Sequence, residues 1–215
     1  TWPTCWKLHH IVPLYKRDAV HDPRHYRGIH LTSNLSKIVE KAIGNPLIQY
    51  LENFGYGENQ WTFRKRSSSR DLSLVCVSSW ILCCCRGFKV AVYFSDIKAA
   101  FDRVYKDYLL AKLHSIGVAD TFIDSLKSYL EPHIGRVAVE GVLSDVFELA
   151  DMVFQGTVLG PSLWNVFFHD VASCLGGKEQ LFADDLIVSK AYETNITNEE
   201  IVADMTFTKQ SVHAW

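Results

Sequence analysis

The chain has 215 residues, of which 48% are hydrophobic and 21% are charged, and its mean hydropathy is +0.01. This composition excludes a disordered tail and a collagen-like protein, and it supplies enough apolar side chains for one sizeable core. No internal repeat with a period of about 20 to 50 residues is visible, which argues against a solenoid. Length and composition together predict one compact protein with two lobes.

The net charge of −2 conceals an asymmetry along the chain. Residues 1–90 carry 13 Lys and Arg against 6 Asp and Glu, whereas residues 91–215 carry 9 against 18. A basic lobe can bind a polyanion and a carboxylate-rich lobe can bind hard cations, which is compatible with a nucleic-acid enzyme that uses a divalent metal. Solvated charged surfaces would give the same counts, so charge alone leaves both interpretations open.

Cysteine use and the N-terminus bear on the cellular environment. The six cysteines are Cys5, Cys76, Cys83, Cys84, Cys85 and Cys174. Their spacing argues against a zinc site and against a disulfide scaffold. Residues 72–85 carry no charge but are too few to span a bilayer, so they predict a buried helix with reduced thiols. The absence of a secretion signal predicts an intracellular protein, and Thr1 in place of Met suggests a fragment of a longer one.

The first quarter of the chain predicts strands followed by a helix. Residues 1–35 alternate short apolar runs with basic and histidine-rich turns, which is typical of strands and loops. From Asn34 the spacing becomes helical, and Asn45-Pro46 is expected to break the helix before it resumes and ends at Gly55 and Gly57. Its apolar positions, typical of a core-facing stripe, are Leu35, Ile38, Val39, Ala42 and Ile43.

A basic and aromatic segment follows at residues 60–71. On what the composition predicts to be a loop, this segment combines the aromatic side chains of Trp61 and Phe63 with four cations: Arg64, Lys65, Arg66 and Arg70. Cations and rings together suit nucleic acid. A solvated loop with two anchoring aromatics is an equally good interpretation of this segment alone.

The remaining elements predict an α+β fold. Residues 90–94 form an apolar run rich in β-branched and aromatic side chains, which predicts a buried strand that ends at Asp96. Two helices, a hairpin around Gly141 and a helix opened by Pro161 are expected next. A second hairpin would carry Asp184 and Asp185 at its tip, and a final helix follows. This order fits a split βαβ sheet with helices on one face.

Asp96 and Asp184 are the candidate centre of the chemistry. Each follows a predicted strand, and if the two strands are neighbours, one metal can bridge both carboxylates. Paired divalent ions stabilise the attacking and leaving oxygens of an in-line phosphoryl displacement. Either aspartate alone is more simply a turn residue or a helix cap, so the hypothesis depends on the motifs around them.

The ordered set of motifs resembles a known family. Phe94-Ser95-Asp96 is followed by the AFDRV sequence at residues 100–104, then by Gln155-Gly156 and by an FADD sequence that ends at Asp185. This set is similar to the reverse transcriptase domain of non-LTR (LINE-type) retrotransposons, which is related to group II intron and retroviral polymerases. The resemblance begins near Trp6 and covers nearly the whole chain.

The resemblance implies a fold, an activity and partners. Residues 1–89 would form a basic fingers lobe and residues 90–215 a palm that stops before the thumb, together one reverse transcriptase domain of the right-hand polymerase fold. The implied activity is RNA-directed DNA polymerisation by transfer from a dNTP to a primer 3′-OH. It implies two Mg²⁺ ions, with Mn²⁺ as a substitute, an RNA template and a DNA primer or target. It also implies no membrane association, a nuclear location, and missing endonuclease and thumb regions of a longer polyprotein.

The resemblance also assigns catalytic roles. Asp96 and Asp184 would bind the metals, and Asp185 would contribute less directly to catalysis. Phe101 would lie beneath the incoming sugar, where a ring leaves no room for a ribose 2′-OH and so favours dNTPs. Gln155 and Gly156 would pack near the nascent base pair, where glycine permits close approach and glutamine can form hydrogen bonds.

Further roles concern phosphate groups. Lys16 and Arg27 would hold the triphosphate, since one point charge and one planar fork suit phosphate recognition. Arg64, Lys65 and Arg66 would follow the template backbone, although solvation alone could account for them.

Some positions depart from the family pattern. Gly28 and Phe154 stand where proline is usual, and Trp61-Thr62 stands where Phe-Gly is usual, and each change reshapes a loop. These changes leave open a decayed element copy that at most binds nucleic acid. An RNA-templated RNA polymerase is a weaker alternative, which Phe101 disfavours.

Overall fold

The computed structural model describes residues 1–150 and 152–215. Contacts divide the chain into two discontinuous units: unit 1 comprises residues 1–55 and 99–167, and unit 2 comprises residues 56–98 and 168–215. This division does not follow the expected boundary between residues 89 and 90. The assignment of fingers and palm to those ranges stays a prediction.

Helices and strands alternate along the chain. The strands are β1 Leu8–Tyr15, β2 Tyr26–Leu31, β3 Lys89–Asp96, β4 His133–Val139, β5 Val142–Leu143, β6 Phe147–Leu149, β7 Lys178–Phe182 and β8 Asp185–Tyr192. The helices are α1 Asn34–Phe54, α2 Ser69–Cys85, α3 Lys106–Ser115, α4 Asp120–Tyr129, α5 Gly160–Phe168 and α6 Asn198–Ala214. The mixed composition confirms the predicted α+β class.

Unit 1 is built on a mixed sheet. Strand β1 pairs with β2 in antiparallel and with β4 in parallel orientation, and β4 pairs with β5 and β6 in the predicted hairpin. Helices α1, α3, α4 and α5 supply a large part of its core. Fully buried side chains include Leu51, Leu109, Leu126, Leu163 and Trp164. Their burial removes a large apolar area from water and stabilises the unit.

Helix α1 differs from its prediction in two respects. It runs without a break through Pro46, because proline removes only one backbone donor while Leu47 and Leu51 beyond it are buried. Its buried face is also different: Leu35 and Ile38 are each 62% exposed, whereas Glu40 is fully buried. The apolar stripe was therefore the wrong guide to the side of α1 that faces the core.

Unit 2 is built on the antiparallel sheet β3-β8-β7. Helix α2 begins after Ser68, whose side chain accepts the Asp71 N–H, and α6 begins with a capping box between Thr197 and Glu200. The register of β3 on β8 extends over all eight residues of each strand. This pairing fixes which side chains meet at the end of the sheet.

The prediction that residues 72–85 form a buried helix was wrong in one part. The helix is present, but only Leu72 and Cys76 are buried within it, and Leu74 is 69% exposed. A continuous apolar run does not indicate which side of a helix packs against the protein. In α2, only the narrow face that carries Leu72 and Cys76 does so. The described cysteines at 5, 76, 83, 84 and 85 are free thiols. Among residues 1–150 and 152–215, none of the helices combines the length and apolar character that a membrane span requires.

Candidate active site

Three carboxylates lie at one end of the unit 2 sheet. The register of β3 and β8 places Asp96 directly opposite Asp185. Ala183 and Asp184 form the turn that joins β7 to β8, and the Asp184 carbonyl accepts the Ile97 N–H at 3.1 Å. The strand that ends at Asp96 and the hairpin whose turn carries Asp184 are therefore neighbours, as a shared metal site requires.

Local sequence explains this arrangement. Leu186 and Val188 are fully buried on one face of β8, which sets the alternation that leaves Asp185 exposed. Ala183 adopts a left-handed conformation with φ +57°, which closes the hairpin tightly. Asp184 is half-buried at this turn.

The carboxylates repel one another. Directly opposed residues of an antiparallel pair share a face, and like charges there are destabilising. Desolvation raises the pKa of Asp185, and the negative charges of Asp184 and Asp96 raise it further. A divalent cation would relieve this repulsion, and oxygen ligands are those that Mg²⁺ prefers.

The carboxylate end is not a preformed metal cage. Among the side chains that the structure describes, no three or more from His, Cys, Asp or Glu are grouped closely enough to hold a metal ion. Mg²⁺ commonly binds through one or two carboxylates, together with waters and substrate phosphates. The donor set therefore fits Mg²⁺ whose coordination is completed by waters and phosphate oxygens.

A groove of about 380 Å³ adjoins the carboxylates in unit 2. Residues lining it include Ser69 and Ser73 of α2, Phe94 and Asp96 of β3, and Asp185 of β8. The Phe94 side chain is 64% exposed, so β3 is less buried at this end than predicted. Hydroxyls, carboxylates and an exposed ring thus share one surface.

The Gln155-Gly156 loop lies in unit 1 and is held at several points. The Gln155 carbonyl accepts the His30 N–H at 2.9 Å. Gly156 has φ +97°, and a Cβ there would lie 2.9 Å from the His30 carbonyl oxygen. The loop therefore requires glycine at this position. Thr157 donates its hydroxyl to the Phe154 carbonyl at 2.8 Å.

Glu40 holds the other end of this loop. Its carboxylate accepts the Val158 N–H at 2.8 Å and the Ser36 hydroxyl at 3.1 Å. Burial raises the pKa of Glu40, and these hydrogen bonds oppose the rise. The Glu40 carboxylate is therefore not a solvent-exposed charge on the surface of α1. It orients the backbone of the loop through these hydrogen bonds.

Phe101 is half-buried in a 3₁₀ turn, Ala100–Arg103, of unit 1. Its ring stacks on the buried Trp164 ring, with centroids 5.7 Å apart and an interplanar angle of 22°. Its carbonyl accepts the Val153 N–H at 2.9 Å. The ring is thus supported from one side by α5.

Lys16 and Arg27 lie on the β1–β2 hairpin, and both are exposed. Arg27 is opposite Leu14 in the pairing of β1 and β2. Lys16 directly follows β1 and donates its backbone N–H to the His25 carbonyl at 2.9 Å. Desolvation raises the pKa of Asp102 and the Lys16 ammonium opposes this rise, which indicates that Lys16 is near Asp102. At Gly28, a Cβ would lie 2.9 Å from Ile11 Cγ2, which gives a packing reason for glycine.

The basic loop of unit 2 divides into structural and exposed cations. Arg64 donates to the carbonyls of Gly57 and Gln60, at 3.0 and 3.2 Å. Lys65 and Arg66 are exposed. Arg64 therefore shapes the loop, while its two neighbours are accessible to a ligand.

The Trp61 departure also has a structural reason. Its backbone N–H donates to the Leu181 carbonyl at 2.9 Å, and its indole N–H donates to the Gln180 side chain at 2.5 Å. Trp61 thereby ties the basic loop to β7.

Comparison with known proteins decides the family. A family profile described as "Reverse transcriptase (RNA-dependent DNA polymerase)" matches residues 15–211. The chain belongs to the reverse transcriptase family. The resemblance inferred from the motifs is thus confirmed.

Curated relatives of this reverse transcriptase domain come from retrotransposons. The probable RNA-directed DNA polymerase from transposon X-element of Drosophila melanogaster is 32% identical over 195 residues, covering 87% of this chain and 21% of that protein. The RNA-directed DNA polymerase from mobile element jockey of the same organism is 31% identical over 198 residues, covering 91% of this chain and 21% of that protein. The chain therefore spans about a fifth of the length of these relatives.

Solved structures show the same fold. Telomerase from Candida albicans, in complex with the TWJ fragment of telomeric RNA, matches with a TM-score of 0.65 and 14% identity, covering 95% of this chain and 40% of that chain. Apo telomerase from Candida tropicalis matches with a TM-score of 0.64 and 13% identity, covering 98% of this chain and 47% of that one. The right-hand polymerase fold is confirmed.

Sequence reasoning missed several residues that shape this reverse transcriptase domain. Glu40 and Trp164 support the Gln155-Gly156 loop and Phe101, and His30 donates to the loop through its backbone. Glu40 and Val158 are 118 residues apart in sequence, and no local pattern connects them. Only the fold brings these supporting residues to the loop and the ring.

Proposed function

We propose that the chain is the polymerising part of a retrotransposon RNA-directed DNA polymerase. It would transfer a nucleotidyl group from a dNTP to a primer 3′-OH and release pyrophosphate. The observation that carries this proposal is the cross-strand pair Asp96 and Asp185, with Asp184 in the adjoining turn, in a chain of the reverse transcriptase family. Opposed carboxylates at a sheet end are costly unless a cation uses them.

Asp96 and Asp184 would hold two Mg²⁺ ions, and Mn²⁺ could substitute for them. Bound Mg²⁺ supplies positive charge that lowers the pKa of the primer hydroxyl and neutralises charge on the phosphates. Asp185, whose pKa is raised by its neighbours, would add negative potential. The adjoining groove, with its serine hydroxyls and the exposed Phe94 ring, would bind nucleic acid or nucleotide.

Residues of unit 1 would select the nucleotide. Lys16, which follows β1, and Arg27 of β2 are both exposed and would bind the triphosphate. Phe101, held against Trp164, would exclude the ribose 2′-OH. Gln155 and Gly156 would contact the nascent base pair, and the hydrogen bond from the His30 N–H would fix the loop for this role.

The RNA template and the DNA target are polyanions, and the basic loop around residues 64–66 carries the positive charge to bind them. Lys65 and Arg66 would contact the RNA template backbone, while Arg64 keeps the loop in shape. A DNA primer supplied by a nicked chromosomal target would place the working protein in the nucleus.

A primer-extension assay tests this function. The chain is expressed in its longer coding context and given an RNA template, a DNA primer and either dNTPs or rNTPs. We expect extension with dNTPs, its loss on chelation of divalent ions, and recovery with Mg²⁺ or Mn²⁺. Equal extension with rNTPs would indicate an RNA polymerase. Salt-sensitive binding without any extension would indicate a decayed, non-catalytic copy.

A further inference from the structure

Three buried histidines form a continuous chain of hydrogen bonds in unit 1. His9 of β1, His30 of β2 and His133 of β4 are 1%, 5% and 1% exposed. His133 Nε2 lies 2.8 Å from the Tyr129 carbonyl oxygen, and His133 Nδ1 lies 2.7 Å from His9 Nε2. His9 Nδ1 lies 3.0 Å from His30 Nδ1. We call these three side chains the histidine relay.

The carbonyl at one end sets the direction of the whole relay. An amide carbonyl can only accept, so His133 Nε2 carries a hydrogen and its Nδ1 accepts from His9 Nε2. His9 Nδ1 must then accept from the His30 Nδ1–H. Each ring therefore has a defined neutral tautomer, and all the hydrogen bonds of the relay run in one direction, from His30 through His9 and His133 to the Tyr129 carbonyl.

Phe154 couples the relay to the Gln155-Gly156 loop. Its ring is 2% exposed, and its centroid lies 4.4 Å from that of His133 and 4.5 Å from that of His9. The next residue, Gln155, accepts the backbone N–H of His30 at 2.9 Å. His30 therefore bonds to His9 through its ring and to the Gln155-Gly156 loop through its backbone.

We propose that the histidine relay is a positioning device for the Gln155-Gly156 loop, and that it sets how well this loop receives an incoming nucleotide. The second part rests on the nucleotide role proposed above for Gln155 and Gly156. The rings bind no substrate themselves. They fix the orientation of Phe154 and of the His30 backbone, and so the path of the loop.

Hydrogen exchange tests the positioning step without any catalysis. Backbone amide exchange is compared in the wild-type chain, in His9→Leu and in His10→Leu. His10 is the exposed neighbour of His9 on the same strand and is a matched control. We expect the amides of residues 29–31 and 154–158 to exchange about tenfold faster in His9→Leu only, because one or more relay bonds are lost. Unchanged exchange in a folded His9→Leu protein would overturn the proposal.

A second pair of variants, at His30, tests the relay even if His9→Leu fails to fold. In His30→Asn the side-chain amide reaches the position of Nδ1–H and can still donate to His9, whereas His30→Leu cannot. We expect near-wild-type exchange in His30→Asn and faster exchange in His30→Leu. Equal exchange in these two variants would contradict the relay.

Steady-state extension separates the two parts of the proposal. We expect His9→Leu to raise the KM for dNTP about tenfold with a much smaller change in kcat, and His30→Asn to retain the wild-type KM. Faster loop exchange with an unchanged KM would support the positioning device and overturn its link to the nucleotide. No extension by any variant, including wild type, with faster loop exchange would reject the proposed activity alone.

Discussion

Asp96 of β3 and Asp185 of β8 are paired directly across two adjacent strands, so two negative charges share one face at the sheet end. Replacing one of them should relieve this repulsion. We expect Asp185→Asn to increase the free energy of unfolding by about 0.2–1 kcal/mol without metal. Urea denaturation in the presence of a chelator measures this, and the exposed Asp124→Asn is the control.

Divalent metal should also relieve the repulsion, by binding to the carboxylates of the folded protein. A ligand that binds only the folded state increases its stability. We expect saturating Mg²⁺ to stabilise the wild type more than Asp185→Asn. A stability gain from Mg²⁺ that is equal in both proteins would show that the Asp185 charge does not contribute to metal binding at this sheet end.

Glu40 tests how the Gln155-Gly156 loop is held. Glu40→Leu leaves the Val158 N–H without its acceptor in a partly buried position and should cost about 1–3 kcal/mol of stability. Glu40→Gln keeps one acceptor oxygen and removes a buried charge, so its cost should be smaller. Urea denaturation of both variants decides the point, and equal losses would show that hydrogen bonding by Glu40 is unimportant.

Phe101 tests nucleotide selection. Replacing the ring with Val opens space above Trp164, so we expect the ratio of rNTP to dNTP incorporation to rise by at least about tenfold, as removal of a steric barrier to one hydroxyl allows. Tyr108→Val, at an exposed position on α3, is the control. The measurement is single-nucleotide extension, and an unchanged ratio in Phe101→Val would contradict the assignment.

The histidine relay predicts a loss of stability in mild acid. Burial lowers the pKa of His9 from 6.5 to about 3, with help from His133 and His30, and burial lowers the pKa of both His30 and His133 to about 4. Below pH 6.5 the unfolded chain takes up protons that the folded relay refuses, so the stabilisation present above this pH is lost as the pH falls toward about 4.

The size of this stability loss depends on the three histidines and on the charged groups around them. Each histidine contributes up to about 1.4 kcal/mol per pH unit in this window. Lys7 lowers and Glu131 raises the pKa of His133, and Tyr129 stays neutral because burial, chiefly, raises its pKa. Glu40, with its raised pKa, opposes the trend, so the titration is repeated in Glu40→Gln. A free energy of unfolding that stays constant from pH 7 to pH 5 would contradict the relay's neutral state.

The position of the carboxylates at the end of a sheet could be predicted because its signal is local. An apolar run that ends at Asp96, and a hairpin with acids at its tip, are patterns of two short segments. The order of the motifs then indicated the reverse transcriptase family. The pairing partner of Asp96 proved to be Asp185, because only the register of β3 on β8 determines which acid lies opposite.

The supporting residues could not be predicted in the same way. Helix α1 buries Glu40 and exposes Leu35, since the carboxylate satisfies the Val158 N–H and the core does not reach the apolar stripe. His9, His30 and His133 come from three strands and meet only after the sheet forms. Hydrogen bonds between distant segments leave no periodic trace in a single sequence.

Loss of extension on removal of the carboxylates tests the central claim most directly. Primer extension on an RNA template with dNTPs and Mg²⁺ is compared between the wild type, an Asp96→Asn/Asp184→Asn double variant and Asp124→Asn, all in the longer coding context. We expect extension by the wild type and by Asp124→Asn. The double variant should remain folded and bind template but extend nothing. Undiminished extension by the double variant, or none by a folded, template-binding wild type, would contradict the account.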